Sequence, residues 1–549
     1  VLQAPDFEPE LRAQLRKRIG PLAPLKPLAY YIADESSLTS YTDAFDVDWS
    51  PEALAGFRAW LKPRWETLER LNAAWDTSFK TWDEVLPMTT EEVRKHGNFA
   101  PWSDHRVYME QEFLKALRLA RNIVREIDPG AVSSISGTQV PTAHNGANWY
   151  EIDQFMDYLQ PYSGGNQDAM HHLFRPGILL TGFTGYGLTG GEAQYQQWQR
   201  LFYGHTGASI FWHYTILNPD LSLSAQGKAL AEAFGRIRSG IGRVFMDSKV
   251  REDGVAVHFS MASIRGMWIT DGEILPTVGN VNRTSKSYAG MVARRDAWVK
   301  GLERHGVQFR FLASPQIEAD ALRDFKVLIL PDSIALSDAE IRAIREFAAA
   351  GGAVYLDGQV GLMDEHCRRR DTPAFEDAAK GFRRAETSQF EWRHPLGLQG
   401  EFLTTVRDFG SARLIGILPR ESTKITLPRT EGVRYDLLRG GLAQEPLTVS
   451  MEQPGVLIER PTRIATLEIT PSFEVRLFDE RKTPVDRSVV RIEVWDSAGK
   501  LARHYCTNVA INDGRGTIEI PFALNDAGTW TIKARDVISG LTAERRVKR

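Results

Sequence analysis

Cysteine is nearly absent from this chain: Cys367 and Cys506 are the two in 549 residues. Two thiols so far apart in sequence make neither a disulfide framework nor a metal cluster. No run of about 18 apolar residues occurs, so no membrane span is expected. A surplus of one charge is also lacking. The formal net charge is −3, which gives no reason to expect nucleic acid or an anionic membrane as a partner. The histidines are scattered. His171 and His172 are adjacent, a poor geometry for one metal, and no zinc spacing appears. No metal and no cofactor is therefore expected. A phosphate-type glycine loop is missing too: the candidate segment, from His258, reads "HFSMASIRG". Ser36 and Ser37 lie in no nucleophile-elbow pattern. The chain opens on Val1 without a signal-peptide pattern, which suggests a processed or truncated start.

Tryptophan, by contrast, is plentiful. Of 14, nine precede residue 213: Trp49, Trp60, Trp65, Trp75, Trp82, Trp102, Trp149, Trp198 and Trp212. Most are expected as large core side chains. A few suit a second role, since the C–H faces of sugars stack on aromatic rings.

Length points to three or four domains. Residues 1–248 alternate short apolar runs with helical patterns. The runs are Leu28–Ala33, Ala131–Ser136, Phe155–Tyr162, Gly177–Phe183 and Ala208–Tyr214. Such alternation predicts a parallel sheet with helices outside, of the (β/α)8 barrel type. Polar, glycine-rich and aromatic residues follow each run, where a parallel barrel carries its active site. Residues 249–381 read as a second, flavodoxin-like α/β domain, residues 382–462 as a small β domain of short strands, and residues 463–549 as an immunoglobulin-like β-sandwich.

The stretch "AYYIADESS", Ala29–Ser37, brings two adjacent carboxylates to the tip of an apolar strand. A Glu in that position is placed for proton transfer, which makes Glu35 the candidate general acid. A glycosidase usually sets a second carboxylate across the site. The later strand "GILLTGFTGYG", Gly177–Gly187, contains no acid. The nearest alternatives are Glu192, at the start of the next helix, and Asp168, in the preceding loop. Glu192 equally suits a plain helix N-terminus, and Asp168 an ordinary loop. Candidate sugar contacts are Asp34 and Tyr31 on the first strand, Gln139, Asn166 and Gln167 in strand-end loops, and Tyr186, Trp212 and His213 as a wall.

The segment "FRAWLKPRWETLERLNAAWDTSFKTWDEVLP", Phe57–Pro87, resembles the stretch that follows the acid/base in bacterial β-galactosidases of glycoside hydrolase family 42. Trp60, Leu61, Leu68, Leu71, Asn72, Trp75, Thr77, Phe79 and Trp82 fit that pattern. The resemblance, over roughly residues 1–460, implies a barrel with Glu35 as acid/base and makes residues 249–381 similar to a trimerisation domain. Three differences stand beside it. Asp34 replaces the family's Asn, no Glu lies near Leu180–Thr184 as nucleophile, and only about 26 residues precede a strand that should be the barrel's fourth. An incomplete barrel is thus expected.

These readings predict a glycoside hydrolase acting on a β-linked, galactoside-like sugar, as a homo-oligomer with a trimer favoured. The rival is a carbohydrate-binding pseudoenzyme, motivated by the missing strand-end acid. A purely structural subunit is a third reading, opposed by the amides and aromatics kept at the strand ends.

Overall fold

The computed structural model describes residues 2–39, 46–162, 166–184, 187–188, 190–211, 213–277, 280–377, 381–385, 394–524 and 526–549. They form two compact units. The first comprises Val1–Phe183, Asp253–Gly301 and Phe309–Glu391; the second comprises Thr184–Glu252, Leu302–Gln308 and Trp392–Arg549.

In the first unit, β1 (Tyr30–Asp34), β2 (Ser133–Thr138), β3 (Tyr158–Pro161) and β4 (Leu179–Thr184) run parallel and neighbour one another in chain order. They match the first four expected runs; the fifth is the strand Gly207–Ile210 of the second unit. Side chains of a strand alternate between its faces. Tyr30 and Ile32 therefore turn to one side, where they pack with Ile19, Val124 and Ala131. Tyr31 turns to the other and is 52 % exposed. Within this sheet, β1 is an edge strand among the described residues.

Helices fill the connections. Ser50 caps the helix Pro51–Trp65 by accepting the Ala53 N–H, and Pro51 starts it with a fixed φ and no orphan donor. The 28-residue helix Ala100–Ile127 follows before β2. Phe57, Leu61, Leu71, Trp75, Tyr108 and Met109 form the core between these helices. Trp75, Trp102, Trp149 and Trp198 are fully buried, so these four serve as core.

A second sheet in the same unit is wholly parallel. Its order is Phe309–Ala313, Val255–Phe259, Val327–Pro331, Ala353–Asp357, Phe382–Arg384. Near-continuous burial of these strands reflects helices on both faces.

The second unit is mainly antiparallel. Phe402–Phe409 and Ala412–Pro419 make a regular hairpin of two eight-residue strands, longer than the short strands expected there. Both strands are buried along nearly their whole length; Ala412–Pro419 is an almost continuous apolar run, while Phe402–Phe409 also buries Thr404, Thr405 and Arg407. A seven-stranded antiparallel sheet occupies Ile464–Lys548. Its Val489, Ile492, Val494, Ile532 and Ala534 share a core with Trp198, Phe202 and Phe245. Among the described residues no helix is long and apolar enough to cross a membrane.

One buried carboxylate joins distant segments of the first unit. Asp104 accepts the indole N–H of Trp75 at 2.9 Å and of Trp65 at 3.2 Å, and its other oxygen lies 2.5 Å from His366 Nδ1. Burial alone would lower the His366 pKa. Asp104 outweighs burial, with Glu365 and Asp364 adding to it, and pushes the imidazole up to about 9. A raised folded-state pKa stabilises below the unfolded value and is lost as pH climbs through the folded one. Urea denaturation should therefore show the wild type losing on the order of 2 kcal/mol between pH 6.5 and pH 9.5 relative to His366→Gln. Parallel pH profiles of the two proteins would remove the ion pair from the stability of this unit.

Candidate active site

The site grows from the C-terminal end of β1. Glu35 follows the last strand residue and holds its backbone in the left-handed region, φ 45°. That conformation costs a residue with a Cβ about 1–2 kcal/mol. Such strain is found where the surroundings hold the chain in place. Here the Glu35 N–H donates to the Ser136 carbonyl at 2.9 Å, extending the β1–β2 ladder by one residue. The turn redirects the Glu35 side chain across the end of β2.

There it meets Tyr162, which follows β3. The Tyr162 hydroxyl donates to Glu35 Oε1 at 2.5 Å. Its ring stacks on Phe183 of β4 at 5.2 Å, so three strands fix this one contact. Gly137 makes the approach possible. A Cβ built there would stand 2.7 Å from Glu35 Cγ and 3.1 Å from the Tyr162 hydroxyl, and its φ of 61° also favours glycine. Glu35 is half-buried; Asp34 is exposed and accepts the Ser136 hydroxyl. The loop beyond Glu35 is tied down as well. Leu38 N–H donates to Asn145 O at 3.1 Å, and the Thr39 hydroxyl to His144 O at 2.7 Å.

Tyr31 belongs to a separate hydrogen-bonded line. Its hydroxyl lies 3.0 Å from that of Tyr158 on β3, which in turn bonds Thr181 on β4. Burial, then the bond to Tyr158, raises the Tyr31 pKa, so it stays a neutral phenol. This line spans the exposed face of the sheet.

The remaining candidates divide. Gln139 follows β2, and its carbonyl accepts the Trp149 indole N–H at 2.7 Å, leaving its side chain half-buried at the strand end. Asn166 adopts φ 61° and donates to Asp296 Oδ1 at 2.6 Å. Gln167 opens the helix Gln167–Phe174, and Asp168 is buried in its first turn. Glu192 lies in the second unit, half-exposed in the first turn of the helix Gly190–Phe202, where it pairs with Arg420 at 2.7 Å. His213, also in that unit, is exposed at the start of a four-residue helix. Tyr186 and Trp212 lie outside the described residues. Among the described residues no group of three or more His, Cys, Asp or Glu could hold a metal ion.

Two groups went unread in the sequence. Tyr162 ends an expected strand run, and only its place after β3 signalled a role. The other is a buried pair: His171 Nδ1 lies 2.9 Å from Asp153, both fully buried, while His171 Nε2 faces Thr138 at 3.5 Å. Burial holds the Asp153 carboxyl above the usual range against the pull of His171 and Arg175. This pair backs the end of β2, next to the turn that admits Glu35.

Comparison with known proteins agrees with this architecture. The pattern of glycoside hydrolase family 42, described as beta-galactosidase, matches residues 34–174. The beta-galactosidase BbgII of Bifidobacterium bifidum is 23 % identical over 370 residues, covering 58 % of this chain and 49 % of that protein. The beta-galactosidase bgaB of Geobacillus kaustophilus is 21 % identical over 360 residues, 57 % of this chain and 49 % of its own. The chain thus spans about half the length of the curated relatives it matches. Among solved structures, the beta-galactosidase of Bacillus circulans sp. alkalophilus aligns with a TM-score of 0.64 at 13 % identity, covering 84 % of this chain and 83 % of that one. The exo-carrageenase of family 42 from Bacteroides ovatus aligns at 0.59 and 12 %, covering 84 % and 70 %. In its parallel sheet with alternating helices and in its matched segment, the chain is similar to the beta-galactosidases of glycoside hydrolase family 42.

Proposed function

We propose that the protein is a glycosidase acting on a β-linked, galactoside-like sugar, with Glu35 as general acid/base. The observation that carries this reading is the strand-end Glu35 held by the Tyr162 hydroxyl over Gly137. A carboxyl fixed at the tip of a parallel strand can protonate a leaving glycosidic oxygen. Asp34 and Gln139, at the ends of β1 and β2, supply hydrogen bonds to sugar hydroxyls, joined by Tyr31, Asn166 and Gln167. Trp212, with Tyr186 or His213, is the proposed sugar wall. Glu192 and Asp168 are the candidate second carboxylates, and whichever acts sets retention or inversion through its separation from Glu35. The division at residues 248, 381 and 462 belongs to the same proposal.

The second reading is a carbohydrate-binding pseudoenzyme. It is favoured by one observation: Leu179–Thr184 carries no acid. A screen of chromogenic β-glycosides separates the two. Turnover by the wild type supports the enzyme; galactoside binding without turnover supports the pseudoenzyme.

Glu35→Gln keeps the shape but loses the proton. It should lower kcat on substrates with poor leaving groups by about 10²–10⁴-fold with circular dichroism unchanged. Wild-type turnover by this variant would take Glu35 out of the mechanism.

The Gly137 contact makes a graded prediction. Tyr162→Phe should cost kcat roughly tenfold, the worth of one hydrogen bond to a charged group. Gly137→Ala should cost more, since its Cβ would displace Glu35 itself. Equal kinetics for all three proteins would show that the placement of Glu35 does not govern the reaction.

We also propose self-association, most simply as a trimer, through the α/β domain at 249–381. The support is that domain's likeness to a trimerisation domain together with the missing phosphate loop. Closed symmetry is the usual outcome of such contacts. Light scattering at micromolar concentration should give a mass well above the 61.8 kDa of one chain; a single species at that mass would refute it.

A further inference from the structure

A cavity of about 460 Å³ lies within the second unit, walled by the helices Gly190–Phe202 and Ala225–Arg236 and by the strand Gly207–Ile210. Its volume falls in the range of about 300–1,000 Å³ that small-molecule sites occupy. Part of the wall is hydrocarbon, from Leu201, Phe234, Ile237 and Met246. The polar side chains are those of Gln197, Arg200, His205, Thr206 and Arg238, and no acid lines the cavity.

Two of these polar groups are fixed parts of the wall. Arg200 is buried and donates from Nη1 to Thr184 Oγ1 at 2.7 Å, and Gln197 Nε2 reaches the same hydroxyl at 3.2 Å. Arg238 differs from both. It is exposed, and among the described residues its guanidinium has neither a hydrogen-bond acceptor nor an ion-pair partner. Acids near it in the chain are taken by other arginines: Glu232 pairs with Arg236 and Asp247 with Arg243.

The backbone at Arg238 is unusual. Ile237–Ile241 is a turn of π-helix, in which the Gly242 N–H bonds the Ile237 carbonyl five residues back. Such bulges occur frequently at functional sites. Gly240 adopts φ 122° inside it, and a Cβ there would stand 2.3 Å from Val537 Cγ2, so the turn requires glycine. The bulge is also held from outside. Arg238 O accepts from Asn508 Nδ2 at 3.1 Å and Ser239 O from Arg535 Nη2 at 3.4 Å. This fixed turn sets an apolar residue, Ile237, and a charged one, Arg238, side by side on the lining. A bare inorganic anion would leave the hydrocarbon wall in water. A neutral hydrocarbon would leave the guanidinium without an acceptor.

We propose that this cavity binds a medium-chain monocarboxylate, its carboxylate on the Arg238 guanidinium and its hydrocarbon body along Leu201, Phe234, Ile237 and Met246. A planar carboxylate takes two parallel N–H bonds from a guanidinium fork. The acid-free lining sets no negative charge against it. This proposal stands apart from the glycosidase reading and survives its failure.

The test is calorimetric titration of the full-length chain with butanoate, hexanoate and octanoate, and with inorganic phosphate and 1-octanol to separate charge from hydrocarbon. Octanoate should bind at one site per chain. Affinity should climb along the series by up to about fourfold per methylene, the worth of burying each. Phosphate and octanol should each bind several-fold weaker than octanoate. Arg238→Gln replaces an exposed side chain, so its circular dichroism should match the wild type. It should weaken octanoate several-fold and leave octanol as it was. No octanoate binding, phosphate or octanol bound as tightly as octanoate, an affinity that does not rise with chain length, or an unaltered octanoate affinity in Arg238→Gln would each overturn the proposal.

Discussion

Gly137 is the constraint on which the strand-end site depends. β1 delivers Glu35 and β3 leads to Tyr162, and the two side chains meet over the backbone of β2 with no room for a Cβ between them. The left-handed turns at Glu35 and Gly137 both follow from this crossing. Strain at Glu35 is tolerated because the parallel ladder of β1 and β2 continues through the Glu35 N–H. Behind it, the Asp153–His171 pair faces Thr138 and gives that end of β2 a rigid support.

The first unit handles its buried charges in a consistent way. Asp104, Glu110, Asp153 and Glu340 are each buried, and each meets an arginine or histidine side chain together with other donors or in an enclosed pair. An uncompensated charge there would cost several kcal/mol. Such pairing lets helices such as Ala100–Ile127 carry acids on buried faces.

The likeness to family 42 proteins is strong in fold and low in identity. Sheet order and helix placement need only a pattern of apolar residues, which many sequences satisfy. The matched segment, residues 34–174, contains Glu35 and the tryptophan-rich helices beyond it. It ends before β4, the strand without an acid. Fold likeness, over 84 % of this chain, therefore extends further than the matched segment, and function rests on the site.

The amino-acid sequence by itself determined the elements and the place of Glu35 at a strand tip. Buried parallel strands read as apolar runs whatever surrounds them, so β1 to β4 were legible, and so was Glu35 at the tip of "AYYIAD", whereas Phe382–Arg384, read into the small β domain, instead extends the second sheet beside Ala353–Asp357. Longer-range partners were not. Tyr162 is 127 residues from Glu35, Asp296 is 130 from Asn166, and His366 is 262 from Asp104. Asn166 reads as a strand-end amide for a sugar until Asp296 is seen to hold it. Only the tertiary structure decided these pairings. Periodicity is a local property of the chain, whereas side-chain partners depend on which strands neighbour one another, in what register, and on what the intervening helices bring to the same end of the sheet.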